Sequence, residues 1–177
     1  NNAMYVVNTE LTRSVNLCVA KPDGIKFIYA SSVAVLDPTS DYAKDKLACE
    51  AALANTGAII VRSASVCGYS PNMRFDTTVN KMTHDAYKNR NIVVFGGEQE
   101  RTHVHIDDLC DFYRMLVKSD LTGTFTVVER NETVLDTAYH VADIVGVPIE
   151  MRARSDNRSY RAECSKEFTP KRTVSEA

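Results

Sequence analysis

Long apolar runs are missing from this sequence of 177 residues. None approaches the roughly 20 residues a helix needs to cross a bilayer, and the first residues carry no signal-peptide core. The expectation is a soluble, cytoplasmic protein without a membrane partner. Net charge is nearly absent as well: 21 Lys and Arg stand against 23 Asp and Glu, leaving −2. No whole-chain attraction toward nucleic acid follows from such a balance. Glycine and proline are scarce, 7 and 5, while 44% of residues are hydrophobic, which excludes a collagenous repeat and a disordered chain. The cysteines, Cys18, Cys49, Cys67, Cys110 and Cys164, are odd in number and never form a Cys-x-x-Cys pair. They offer neither a disulfide framework nor a zinc knuckle and read as small buried hydrophobes. With no internal repeat, low-complexity tract or linker, the length predicts one domain, or a domain and a half.

What is present is alternation. Leu11, Val15 and Cys18 fall at helical spacing between Val6 and Ala20, and Lys26–Ala30 is a short apolar run ending in Ser31-Ser32, as a buried strand would. A helix is predicted from Tyr42 to Ala54 with Gly57 as its stop signal, then a strand over Ala58–Arg62. Asp76 is the expected N-cap of a helix running to about Asn89. Further along come a strand over Ile92–Phe95, a helix opened by Asp107 or Asp108, and a strand over Thr124–Val128. Thr133-x-x-Asp136 resembles a capping box for a helix ending at Gly146. This rhythm predicts an α/β protein with a mainly parallel sheet, and places the chemistry just beyond the carboxyl ends of its strands. From about Glu150 the pattern weakens into an arginine-rich end with Arg152, Arg154, Arg158 and Arg161.

The first candidate constellation sits at such a strand end. Ser31-Ser32 precedes Tyr42-x-x-x-Lys46, whose i,i+4 spacing puts the phenol and the ammonium on one helical face. A neighbouring ammonium stabilises phenolate, the form a tyrosine needs to accept a proton, and a serine hydroxyl can hold the reacting oxygen. A Tyr-x-x-x-Lys pair alone is a weak signal; its place after a Ser-Ser strand end strengthens it.

At these residues the chain resembles the extended short-chain dehydrogenases/reductases, specifically the nucleotide-sugar epimerase/dehydratase group. Four stretches carry the resemblance in order: FIYASSVAV with its serine, Tyr42 to Lys46, IIVRSASVCGYSPNMRFDTTVN from Ile59 to Asn80, and Val93–Leu109 ending in RTHVHIDDL. Tyr5–Leu17 is similar to the family helix that brings an asparagine, here Asn8, near the nicotinamide. The resemblance implies a partly Rossmann-like, doubly wound fold with a smaller C-terminal substrate-binding lobe. Residues 1–66, with 101–128 returning to them, would form the latter half of the NAD-binding domain. Residues 67–100 and 129–177 would form the substrate lobe. Tyr42 would be the general acid/base, with Lys46 binding the nicotinamide ribose and Ser32 positioning a sugar hydroxyl. Asn8, Ser31, Ser63 and Ala64 would lie around the cofactor, NAD or NADP. Ser65, Asn80, Arg101 and Arg158 would meet the sugar diphosphate, and Val94 with Phe95 the base. Arginine suits phosphate oxygens on independent grounds.

The reaction is narrowed by elimination. Dehydratases of this kind are similar in placing an Asp-Glu pair after the serine or threonine, and related decarboxylases a glutamate. Here Val33-Ala34 follow Ser32, and neither transfers a proton. What survives needs only Tyr, Lys, Ser and a nicotinamide: C4 epimerisation through a keto sugar, or a dehydrogenase or 4-reductase using the same residues. Two other features of the sequence point elsewhere. His103-x-His105-x-Asp107 could in principle ligate a metal, but strand histidines beside carboxylates are usually hydrogen-bonded, and no metal is expected. The arginine-rich end lacks the aromatic interleaving of a nucleic-acid site, so no nucleic-acid partner is expected.

The sequence also departs from the family. The glycine-rich turn that cradles a dinucleotide pyrophosphate is not among these residues. Ser32 and Tyr42 are only ten apart, Leu36-Asp37 replace Tyr-Gly, and Thr102 replaces the Asp after Arg101. The expectation is the catalytic and substrate-binding portion of something longer, dimerising through the Tyr42 helix and the N-terminal one. A non-catalytic family member acting as a binding or assembly protein is the competing reading.

Overall fold

The computed structural model describes residues 16–18, 20, 24–153 and 158–177. Eight strands and four helices are named here in chain order. They are β1 (Ile28–Ser32), α1 (Asp41–Leu53), β2 (Ile59–Ser63), β3 (Ser65–Cys67), α2 (Thr78–Asn89), β4 (Ile92–Phe95), β5 (Glu100–His105), α3 (Ile106–Lys118), β6 (Gly123–Val127), β7 (Arg130–Thr133), α4 (Val134–Val145) and β8 (Ile149–Arg152). Asn16–Cys18 and Ala20 are helical; Asn8 and Arg154 lie outside the described residues.

The strands form three small sheets, ordered β1-β2-β6, β3-β5-β7 and β4-β8. All pairings are parallel except β5 with β7. The mainly parallel α/β architecture expected from the alternation is therefore present. Ser32 pairs with Ser63 across β1 and β2, so two strand ends finish side by side, where an open parallel sheet places its ligand site.

One core fills the space between the β1-β2-β6 sheet and α3. Leu109, Phe112 and Leu116 recur at i, i+3 and i+7 on α3 and meet Val61, Phe125 and Val127. Phe112 is set edge-on to Phe125 at 5.8 Å and to Phe168 at 5.5 Å between ring centroids, the arrangement the ring quadrupole favours. A second core joins α2 and α4 over β4 through Met82, Ala86, Ile92, Val94, Ala138 and Val141. Helix α4 starts on Thr133, whose hydroxyl accepts the Asp136 amide at 3.0 Å, and stops at Gly146 with φ 71.

Two local expectations are corrected. The first strand runs two residues later than Lys26–Ala30, because the pairing with β2 begins at Ile28. The N-cap of α2 is Thr77 rather than Asp76; Asp76 is drawn instead to Arg74, with Arg74 Nη2 2.7 Å from its Oδ2. The arginine-rich end, where periodicity fails, is held by specific contacts. Ser165 exchanges two hydrogen bonds with Thr126 of β6, and Asn131 exchanges two with the Ala162 backbone. Asp108 accepts the amides of Lys171 and Arg172 at 2.7 and 2.9 Å. Among the described residues no helix is long and apolar enough to cross a membrane.

Candidate active site

A cleft of about 550 Å³ opens where β1 and β2 end. Ser32, Tyr42, Ser63, Ser65, Asn80 and Arg158 line it, together with Ala64 and Tyr160. Residues far apart in sequence meet here because the parallel pairing sets the strand ends level.

Ser32 closes β1 and caps the short helical turn that follows, its hydroxyl accepting the Ala34 amide at 3.2 Å. Tyr42 lies at the second position of α1, whose start is fixed by Ser40 accepting the Ala43 amide. Tyr42 is 50% exposed and lines the cleft. Lys46, one turn on, donates to the Ala30 carbonyl at 2.9 Å and lies 4.9 Å from the Tyr29 ring centroid and 5.9 Å from that of Tyr42. An ammonium has three donors, so that bond leaves two for a ligand. Burial, with Cys49 beside it, pushes the Tyr29 phenol upward, which leaves Tyr29 a neutral platform beneath the ammonium.

Behind this front row the groups are used internally. Ser31 is buried and donates to Glu50 Oε1 at 2.5 Å. Arg101 is 7% exposed and donates to the carbonyls of Glu100 at 2.8 Å and Arg158 at 2.6 Å, with its guanidinium 5.6 Å from the Tyr160 ring centroid. It thereby orders the segment that brings Arg158 and Tyr160 to the cleft. Val94 is 1% exposed within the second core, whereas Phe95 is 42% exposed at the end of β4; neither lines the cleft. Burial, with Glu129 nearby, pushes the Cys67 thiol up to about 12, so the cysteine beside the cleft carries no thiolate at neutral pH.

The two histidines that could have been ligands have structural partners. His105 Nδ1 accepts the Asp107 amide at 3.2 Å at the start of α3. His103 is fully buried, 3.4 Å from the Thr137 hydroxyl. Burial, reinforced by Arg101 and Arg130, lowers its pKa to about 4.

Sequence reasoning missed one cleft residue of consequence. The loop from Gly68 to Thr77 carries Arg74 into the cleft wall; its partner Asp76, outside the lining, is held below the usual carboxylate range by the Arg74 bond. The available signal was position: an arginine in a turn-rich loop directly after a strand, between Pro71 and Asp76.

The sequence profile described as the NAD dependent epimerase/dehydratase family matches residues 1–128. The chain belongs to that family. The same group is represented among solved structures sharing this fold. A dTDP-glucose 4,6-dehydratase from Bacillus anthracis in complex with NAD superposes with a TM-score of 0.75 at 17% identity, over 96% of this chain and 63% of its own. A UDP-glucuronic acid 4-epimerase from Bacillus cereus, in complex with UDP-glucuronic acid and NAD, gives 0.76 at 18% identity, over 96% and 63%. A UDP-N-acetylglucosamine 4-epimerase from Methanobrevibacter ruminantium gives 0.72 at 21%, over 90% and 62%. At these identities the likeness is one of fold. The chain spans about three fifths of the length of these epimerase/dehydratase structures, and its sheets are the corresponding part of a Rossmann-like fold.

Proposed function

We propose that this chain forms the catalytic and substrate-binding portion of an NAD-dependent nucleotide-sugar epimerase that inverts C4 through a keto intermediate. The observation that carries the reading is that Ser32 and Tyr42 line one cleft in which the residues after the serine, Val33 and Ala34, offer no acid. A dehydratase needs such an acid to eliminate water; an epimerase does not.

The donor set around the cleft fits the nicotinamide riboside end of the cofactor. Ser63 and Ser65 line the cleft with hydroxyl side chains and the small Ala64 lies between them, and Lys46, one turn beyond Tyr42 and outside the cleft lining, retains two donors for a ribose. The dinucleotide, when bound, would supply the acceptor for the hydride leaving the sugar carbon and the donor that restores it to the opposite face. Tyr42 takes the proton from the ring hydroxyl, and the Ser32 hydroxyl donates to that oxygen as it becomes a carbonyl. Once the keto sugar presents its opposite face, Tyr42 returns the proton to the oxygen. Arg74 and Arg158 suit the anionic part of the substrate.

The division into a Rossmann portion over 1–66 and 101–128 and a substrate lobe over 67–100 and 129–177 is part of this proposal. It is supported by the second core, whose residues all fall within 67–100 and 129–177, while Ala162 and Phe168 tie the end of the chain to the first. A cytoplasmic homodimer is proposed too, supported by Leu47 on α1 and Leu17 standing 39% and 63% exposed.

The test is incubation of the protein and NAD with UDP- and dTDP-linked hexoses, with products separated by chromatography. A C4 epimer with no net NADH supports the reading. Stoichiometric NADH accumulation assigns a dehydrogenase instead, and absence of both overturns the enzymatic reading.

A further inference from the structure

The catalytic helix is attached to the sheet by a buried charge that the proton transfer itself does not use. We infer that Glu50 is a positioning residue for Tyr42, acting through its ion pair with Arg62 and its hydrogen bond from Ser31; the inference rests on the function proposed above.

Tyr42, Lys46 and Glu50 follow at i, i+4 and i+8 along α1, which places them on one face. Glu50 is 6% exposed. Arg62 Nε lies 3.0 and 3.1 Å from its two oxygens, and Arg62 Nη2 donates to Oε2 at 2.5 Å. The Ser31 hydroxyl donates to Oε1 at 2.5 Å. Ser31 and Arg62 are cross-strand partners in the parallel pair of β1 and β2. The next residue on each strand, Ser32 and Ser63, lines the cleft. A single carboxylate therefore joins the helix bearing the acid/base to both strands bearing its hydroxyl partners, one residue behind the reacting groups.

A stability role does not account for this arrangement. A buried ion pair gains little over apolar residues of the same volume, because desolvation offsets its attraction. What the forked contact supplies is geometry, since bidentate bonding fixes both the depth and the rotation of the helix. Apolar packing on α1 does this poorly: its buried apolar residues are Ala43, Cys49 and Leu53, two of them small. A shift of about 1 Å between Tyr42 and Ser32 lies in the range that costs on the order of 100-fold in rate.

The experiment separates position from stability with the double replacement Glu50→Leu and Arg62→Met, made in the full chain. The expected result is a melting temperature within a few degrees of the parent, with kcat reduced about tenfold or more and KM within about twofold. Amide hydrogen exchange should quicken from Lys44 to Ala48 and stay unchanged in α3. A folded double variant with parental kcat and parental exchange would overturn the inference. Should the double variant fail to fold, Ser31→Ala removes one arm of the contact and must quicken the same exchange. If the parent turns over no nucleotide sugar, the proposed function falls, and the exchange data alone decide the role of Glu50.

Discussion

Asn80 holds Gly68 and, through it, the loop over the cleft. Its Oδ1 accepts the Gly68 amide at 3.2 Å while its Nδ2 donates to the Arg74 carbonyl at 2.9 Å. Asn80 is 4% exposed, so both ends of the amide are spent on loop backbone. The residue expected to contact a diphosphate thus also shapes the loop that presents Arg74. Replacing Asn80 with Ala leaves a buried amide unpaired, at a cost of about 1–3 kcal/mol. The prediction is a lowered melting temperature together with a raised KM for nucleotide sugar, measured by calorimetry and steady-state kinetics.

Gly68 is constrained independently. Its φ is +104, and a Cβ there would stand 3.1 Å from Ile106 Cγ2 and 3.3 Å from His105 Nε2. Gly68→Ala is therefore predicted to destabilise the protein by about 1–3 kcal/mol, through backbone strain as well as crowding. Urea unfolding checks it; an unchanged midpoint would contradict the geometry.

Tyr42→Phe removes the proton carrier while keeping the ring. Turnover should fall by about 10²–10⁴-fold, with the fold unchanged because Tyr42 is half exposed and only its hydroxyl is removed. Retained activity in the chromatographic assay would remove Tyr42 from the mechanism.

His103 makes stability depend on pH with a definite sign. Burial first, then Arg101 and Arg130, bring its pKa from 6.5 to about 4. Between those values the unfolded chain binds the proton and the folded one does not, so stability falls as pH drops from about 6.5 to about 4. The full effect is about 3 kcal/mol. His103→Gln should flatten the pH dependence of the melting temperature across that window.

Asp108 acts in the same direction at lower pH. Burial alone would raise its carboxyl, but the amides of Arg172 and Lys171 and the Arg172 guanidinium outweigh that and hold it below the usual range. Its contribution is present above the ordinary carboxylate pKa and is lost as pH falls through the depressed one. Asp108→Asn should release residues 158–177, read as their increased susceptibility to protease.

Several elements were legible without coordinates. The apolar period of α3, the capping threonine of α4 and the strand over Ile92–Phe95 are local patterns, each carried by residues within one or two turns of one another. Ser32, Tyr42 and Lys46 were legible for the same reason. Arg101 was not, because its identity suits phosphate equally with a backbone carbonyl, and only its burial against Tyr160 and Arg158 decides between them.

Net charge, the lack of a long apolar run, the α/β rhythm and the Tyr-x-x-x-Lys spacing were determined by the sequence by itself, since all depend on composition or on neighbours along the chain. Only the tertiary structure decided that Glu50 reaches Arg62 and Ser31, that Arg74 enters the cleft wall, and that the patternless arginine-rich end is pinned to Asp108. These contacts join residues 12 to 64 positions apart, and no periodicity along a chain encodes which distant partner a buried charge will find.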